Sequence, residues 1–202
     1  NGHFRLDGLK WFTSNPAGGL ALATARPTGA PAGGKGLGLY LVPERLADGT
    51  ANPMRIRRLK DKLGTLGVPT AEIDLTDTWA AEVAAPPDGL KLMMEALEFS
   101  RIHNAMAGIG LQRRAFREAS AYAAGRSAFG AAIDRYPMVQ DDLLAMLVSL
   151  EAGSALAFEA VGAFDAAERD ETARPWLRLV TALAKYRTAD DAIARTCLHS
   201  SR

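Results

Sequence analysis

The sequence has a single cysteine, Cys197, among its 202 residues. One thiol excludes an intramolecular disulfide and any cage of cysteine ligands around a metal, and it suits a reducing compartment. Histidine is almost as scarce. His3, His103 and His199 stand far apart, without the spacing of a metal site or the partners of a nucleophile-activating triad. Neither sign of charge is in excess: 24 Lys and Arg against 23 Asp and Glu leave a net charge of +1. That balance gives no global pull toward nucleic acid or an anionic membrane. No uninterrupted apolar run approaches the ~20 residues that span a bilayer, and the opening residues read as strand rather than secretory signal. The glycine-rich segments lack the strand-GxGxxG-helix context of a Rossmann site.

What the sequence does hold is enough apolar material for a core, 48% against 23% charged, in one large domain or two small ones. Residues 1 to about 80 read as β. Asp7-Gly8 is a two-residue turn signal flanked by Phe4/Leu6 and Leu9/Trp11, which predicts an opening hairpin. On its second strand, period-two geometry places Trp11 and Thr13 side by side on one face. A large ring beside a hydroxyl is a suitable wall for a flat, hydrogen-bonding cofactor such as a flavin, although most such pairs in strands are core packing. Further strands are expected at Leu20–Thr24, Leu37–Val42, Met54–Leu59 and Ala71–Leu75, with a Gly/Pro connector at Arg26–Gly36. Short antiparallel strands at this spacing suggest a small sandwich or barrel over residues 1–84.

After Ala84-Ala85-Pro86-Pro87-Asp88-Gly89 the period becomes helical, and residues 85–202 read as a long-helix, up-down bundle. Leu90, Met94, Leu97, Ile102, Met106, Ile109 and Phe116 mark a first helix ending near Ala124. Ala105, Ala107, Gly108 and Gly110 would let a neighbouring helix come close. A second helix spans about Met138 to Arg169, with Leu143, Leu147, Leu150, Phe158 and Val161 as facing positions. A third follows Asp170–Thr172, with Pro175 in its first turn and Trp176, Val180, Leu183, Tyr186, Ile193 and Cys197 as its stripe. Three helices this long hold an incomplete core, so a fourth helix or a partner subunit is expected. Both ends of the chain read as cut: it opens directly into a strand pattern and stops at the end of a helical one.

Two further segments carry charge in a pattern. Between the first and second helices, Arg126 is followed three residues later by Phe129 and then Gly130. An Arg supplies forked donors for a phosphate and a Phe a flat face for a base, although a cation at a helix C-terminus and a turn aromatic also account for them. Arg55, Arg57, Arg58, Lys60 and Lys62 form a basic run interleaved with Asp61, which reads as a solvated strand and turn more readily than as a nucleic-acid surface.

Five segments together resemble the acyl-CoA dehydrogenase family of flavoproteins: GlyLeuLysTrpPheThrSer (8–14), ArgLeuLysAspLysLeuGly (58–64), Thr70–Leu75, PheSerArg…AlaGlyIleGlyLeuGlnArgArgAlaPhe (99–116) and TyrAlaAlaGlyArgSerAlaPheGly (122–130). The last is the most specific. ArgLeuLysAspLysLeuGly and the Pro137 after Tyr136 give the chain the flavour of the branch with bacterial alkylation-response homologues. The resemblance implies an α+β fold, FAD as cofactor and α,β-dehydrogenation of an acyl-CoA thioester. It implies that Trp11 lies against the flavin ring, Thr13 hydrogen-bonds its edge, Arg126 binds the FAD pyrophosphate of a neighbouring subunit, and Phe129 lies near the adenine. A shared cofactor implies a homo-oligomer, dimer or tetramer, and an electron-accepting flavoprotein is a possible partner.

The same resemblance places Glu98, Ser100 and Arg101 at the substrate, with Arg101 beside the thioester end and Glu98 helping to hold CoA. Read from spacing alone, Glu98 and Arg101 are a solvated pair three apart on a helix face. The family's catalytic carboxylate is expected beyond Arg202, or, in a minority, at the position of Ser100. Glu98 stands two residues away, about 200° around the helix axis, so no catalytic base is assigned within this sequence. An acyl-CoA oxidase and a DNA-associated protective flavoprotein are the alternative functions. A cytoplasmic location without membrane contact is expected.

Overall fold

A computed structural model describes residues 3–197, which fall into two compact units, Asn1–Glu95 and Ala96–Arg202. His199 lies outside the described residues, as does the side chain of Cys197.

The first unit is one antiparallel sheet of β1 (His3–Ser14), β2 (Leu20–Ala25), β3 (Gly38–Pro43), β4 (Met54–Leu59) and β5 (Thr70–Ala84), in the order β1-β5-β3-β2 with β4 also on β5. Its spine is β5. The first half of β5 pairs with β1 and β4, the second half with β1 and β3. Sequence periodicity stops that strand at Leu75, where the polar Thr76-Asp77-Thr78 breaks the alternation. The structure instead makes it a bulge: Leu6 faces Thr78 and Gly8 faces Leu75, so Thr76 and Asp77 together oppose Asp7. Asp77 takes a left-handed φ of 50° there, and its N–H donates to Asp7 Oδ1 at 2.8 Å.

This bulge also corrects the expected opening hairpin. Asp7-Gly8 does not turn the chain; residues 3–14 are one continuous strand. Inside the bulge, Thr78 is fully buried and its hydroxyl donates to the Pro53 carbonyl. Next to it, buried Asn52 donates to the carbonyls of Pro43 and Trp79 and accepts from the Trp79 N–H, at 2.7, 2.9 and 2.8 Å. A polar Thr-Asp-Thr can therefore continue inside a strand, because every buried polar group it brings is satisfied. Leu6, Ala23, Tyr40, Val42, Ala71, Ile73, Leu75 and Ala80 form the core of this unit.

The second unit is helical: α1 (Asp88–Gly125), which begins in the first unit, α2 (Pro137–Ala167) and α3 (Arg174–Cys197). Pro137 occupies the first turn of α2, where its missing N–H costs nothing. The buried stripe of α2 is Met146, Leu150, Gly153, Ala157, Ala160, Ala163 and Ala167, a three-and-four repeat made largely of alanine. It packs against Ile102, Ala105 and Ile109 of α1 and Leu177, Val180 and Ala184 of α3.

Alanines supply much of this contact surface beside Ile102, Ile109, Leu150 and Leu177, and the residues that reach it from α3 correct the expected stripe. Only Val180 of that stripe is buried among the described residues, while Trp176, Leu183, Tyr186 and Ile193 are exposed. Phe158 of α2 is exposed as well. Sequence hydrophobicity picks out the bulkiest residues, but close helix approach selects the smallest. By length and composition α2 is apolar enough to cross a membrane, with mean hydropathy 1.6 over its best window, of which a third is buried. Interrupting polar residues hide this from a search for uninterrupted apolar runs.

Candidate functional site

Trp11 and Thr13 do not share a face. Lys10 pairs with Ile73 and Thr13 with Ala71, so three steps along β1 match two along β5, and a bulge sits at Trp11 and Phe12. Thr13 is half-buried opposite core residue Ala71 and lines a cavity of about 410 Å³ with Lys10, Ile73 and Leu75. Trp11, 51% exposed, lies on the face of Glu72. The neighbours of its ring establish this: Lys60 Nζ is 3.4 Å from the ring centre and the Arg58 guanidinium carbon is 5.8 Å away. Both cations also bind Glu72, Arg58 at 2.7 Å and Lys60 at 2.6 Å. Strict alternation predicts one wall of ring and hydroxyl; the extra residue in the bulge separates the two.

Lys10, on the core side of the same strand, donates to the Thr24 carbonyl at 2.6 Å, and burial pushes its ammonium pKa down. Glu72 is one of the few fully buried acids. Hydrogen bonds from Arg58 and Lys60 hold its carboxyl at about 2, against an ordinary 4.5.

The basic run of β4 is spoken for. Arg55 and Arg57 both bind Asp74, at 3.1 and 2.7 Å, Arg58 and Lys60 bind Glu72, and Lys62 donates to the Val68 carbonyl and the Thr70 hydroxyl. Arg57 shares Asp74 with Arg55 because β4 has its own bulge between Ile56 and Arg58. Two carboxylates thus hold four of these cations in place and the partners of Lys62 are neutral oxygens, so the patch is ordered but keeps a net positive charge.

In the second unit, α1 runs into a hairpin of two-residue strands, β6 (Ser127–Ala128) and β7 (Ala131–Ala132), closed by Phe129 and Gly130. Both closing residues have left-handed φ, 50° and 89°, the backbone of a tight hairpin turn. Glycine adopts it without cost, and Phe129 does not. That turn thrusts the Phe129 ring out of the fold, fully exposed. Arg126 at the hairpin root is exposed too, and donates to the Tyr122 hydroxyl at 2.6 Å. Its partner is a neutral phenol one helical turn back and no acid pairs with it among the described residues, so the guanidinium keeps donors for an anion. Beside the hairpin is an apolar cavity of about 820 Å³ between the end of α1 and the start of α2, lined by Tyr122, Phe129, Ile133, Tyr136, Val139 and Met146 among others. Tyr136 fixes the hairpin by donating to the Ala128 carbonyl at 2.7 Å.

Near the start of α1, Glu98 is buried and faces Arg178 of α3, with Nε 3.7 Å from its carboxylate. Its cation is therefore on another helix and not Arg101, three residues on. Glu98 thus has a cation beside it on α3 in addition to any role at the substrate. Ser100 is exposed, its carbonyl accepting from Asn104 at 2.8 Å. Arg101 is half-buried, with no acidic partner among the described residues.

Residues 87–196 match the family model for the acyl-CoA dehydrogenase C-terminal domain. The chain belongs to the acyl-CoA dehydrogenase family. Among relatives, acyl-CoA dehydrogenase family member 11 of Caenorhabditis elegans is 33% identical over 94% of this chain and 32% of its own length. AidB of Escherichia coli K12, a putative acyl-CoA dehydrogenase, is 32% identical over 92% of this chain and 33% of its own. The crystal structure of the Caenorhabditis elegans protein ACDH-11 in complex with C11-CoA superposes with a TM-score of 0.84 at 32% identity, covering 96% of this chain and 34% of that one. The chain thus spans about a third of the length of these relatives.

Within this chain, sequence reasoning missed the side chains that hold the candidate residues in place. Tyr122 is legible in hindsight, since it stands four residues before Arg126 on one helix face. Lys60 and Glu72 carry no such signal, because the strand pairing that joins them to Trp11 is not local in sequence. Arg178 is equally distant from Glu98.

Proposed function

We propose that this chain contributes to an FAD-dependent enzyme that dehydrogenates an acyl-CoA thioester between its α and β carbons. The observation that carries the reading is the Arg126–Gly130 hairpin: an unneutralised guanidinium, an aromatic ring forced into solvent, and an apolar cavity beside them. That set of donors and faces fits a dinucleotide, with Arg126 for the pyrophosphate and Phe129 against the adenine. In the first unit the fit rests on the Trp11 ring and not on a Trp11–Thr13 pair.

When bound, the flavin supplies a hydride acceptor. The chain's own residues bind and orient. Trp11 offers a flat wall whose orientation Lys60 fixes, Arg126 and Phe129 hold the nucleotide end, and half-buried Arg101 offers an unpaired charge to the acyl-CoA. Neither Ser100 nor the ion-paired Glu98 supplies the base that removes the α-proton, so that role falls to a carboxylate elsewhere in the protein. We further read the protein as a cytoplasmic homo-oligomer, dimer or tetramer, in which one subunit's hairpin serves its neighbour's cofactor, with an electron-accepting flavoprotein downstream.

The test is the visible spectrum of the full-length protein, before and after anaerobic addition of a panel of acyl-CoAs. Flavin bands that bleach with one thioester support the reading and name the acyl class; a colourless protein after FAD is supplied overturns it. Oxygen consumption during turnover would reassign it as an oxidase. A yellow protein that never bleaches and binds duplex DNA would favour the protective role.

A further inference from the structure

The tightest cation–ring contact in the molecule is the ammonium of Lys60 on Trp11. Its Nζ is 3.4 Å from the indole centre, 4.5 Å from the centre of the neighbouring Phe12 ring, and 2.6 Å from a carboxylate oxygen of Glu72. Surface lysines ordinarily sweep out a large volume, but the Lys60 side chain is only 12% exposed and Glu72 beneath it 2%. The indole above is half exposed. An exposed ring is thus tethered to a buried anion through a nearly buried cation, and the three lie on separate stretches of chain: Trp11 on β1, Lys60 just after β4, Glu72 on β5.

We propose that Lys60 is a positioning residue of the flavin site, pinning one face of Trp11 through Glu72 so that the indole is already oriented when the cofactor arrives. The inference rests on the reading of Trp11 as a flavin wall. The physical gain is preorganisation. An unpinned indole at a bulge would sample several rotamers, and binding would have to freeze them. The cation–ring attraction supplies the restraint and is strengthened because the ammonium is largely desolvated. The direction of the arrangement is informative too. Because the Lys60 side of the ring is taken, an aromatic ligand has the opposite face or the edge of Trp11 available to it, and the tether defines which.

Arg58 makes the idea testable without unfolding the sheet. Its Nε donates to the same Glu72 oxygen at 2.8 Å and its Nη2 lies 2.7 Å from it in the ion pair, so Lys60→Met leaves Glu72 paired. In the full-length protein stripped of its cofactor and titrated with FAD, Lys60→Met should raise the Kd for FAD about tenfold, and Lys60→Arg should recover most of the loss. Trp11→Phe should weaken binding similarly, and the double variant should be no weaker than the worse single one, because Lys60 acts only through the indole. In flavin-free full-length protein in which every tryptophan other than Trp11 is replaced by Phe, Lys60→Met should lower the fluorescence anisotropy of Trp11. Multiplicative losses in the double variant, an unchanged Kd in Lys60→Met, or unchanged anisotropy would each overturn the proposal. If instead Trp11→Phe leaves the Kd unaltered in a protein that still turns yellow, the underlying placement of the flavin against Trp11 has failed, and the positioning role goes with it.

Discussion

Gly108 of α1 lies against the backbone of α3 at Thr188, so close that a Cβ on the glycine would stand 3.0 Å from the Thr188 carbonyl oxygen. Thr188 is fully buried, its hydroxyl turned back to the Ala184 carbonyl at 2.8 Å. At Gly153 of α2, by contrast, an added Cβ would stand 3.6 Å from the Thr188 methyl, an ordinary van der Waals contact. The three helices therefore converge on one threonine, and it is Gly108 that lets α1 come so close.

Gly108→Leu should accordingly destabilise the protein by about 1–3 kcal/mol, since the added carbons have only backbone to displace. Gly110, two residues on, would meet nothing within 4 Å, and Gly110→Ala should instead stabilise by up to ~1 kcal/mol through helix propensity. Thermal denaturation of the pair checks this; similar melting shifts for both would mean that the α1–α3 approach is not what Gly108 serves.

Gln112, one turn beyond Gly108, is buried and donates to the Thr188 carbonyl at 3.0 Å, while its own carbonyl oxygen has no partner among the described residues. Replacing the amide by a carboxylate would bury a charge at this spot. Gln112→Glu should be markedly less stable than wild type at pH 7 and should recover toward it as the pH approaches 4, because the buried acid prefers its protonated form. Urea midpoints at the two pH values decide it. A deficit that does not narrow on acidification would count against burial as the cause.

Glu72 sets an opposite pH dependence. Its carboxyl is held at about 2 when folded against an ordinary 4.5, so it favours the folded state above 4.5 and loses that contribution as pH falls from 4.5 toward 2. Denaturation of the wild type across this window should show a loss that Glu72→Gln reduces, with the variant already less stable at pH 7. Parallel pH profiles for the two proteins would contradict the ion-pair geometry around Arg58 and Lys60.

Phe129 stores strain in the turn that exposes its ring. Phe129→Asn keeps a residue that accepts left-handed φ and should stabilise the protein by about 0.5–1.5 kcal/mol, while FAD affinity falls. Gain of stability with loss of cofactor is the signature of a residue kept for binding. Calorimetry beside FAD titration reads both, and a variant that gains nothing, or that binds FAD as before, would remove the hairpin tip from the site.

Most of the architecture was legible because it rests on periodicity: β4 was expected over Met54–Leu59 and is found there, and the change from period two to period three-and-four marks where helix replaces sheet. Arg126 and Phe129 were legible because a tight turn leaves a local signature. Illegible was whatever depends on residues distant in sequence. Nothing near Glu98 announces Arg178, and nothing near Trp11 announces Lys60. Counting by twos failed where strands slip a residue, at Asp77 and again at Trp11 and Phe12. On the helices, hydrophobicity named the bulky exposed face because alanine and glycine, which make the contacts, score as unremarkable.

The slip at Trp11 and Phe12 has a consequence for how β1 tolerates change in length. Because two residues there oppose one on β5, the strand carries a spare. Losing one of them would let β1 and β5 march in step while Lys10 still faced Ile73 and Thr13 still faced Ala71. A deletion elsewhere in β1 would turn its core residues outward. At this place alone among the residues from Leu9 to Ser14, a shortened chain keeps its inside and its outside, and what it gives up is the freedom to put two aromatic rings where one would fit.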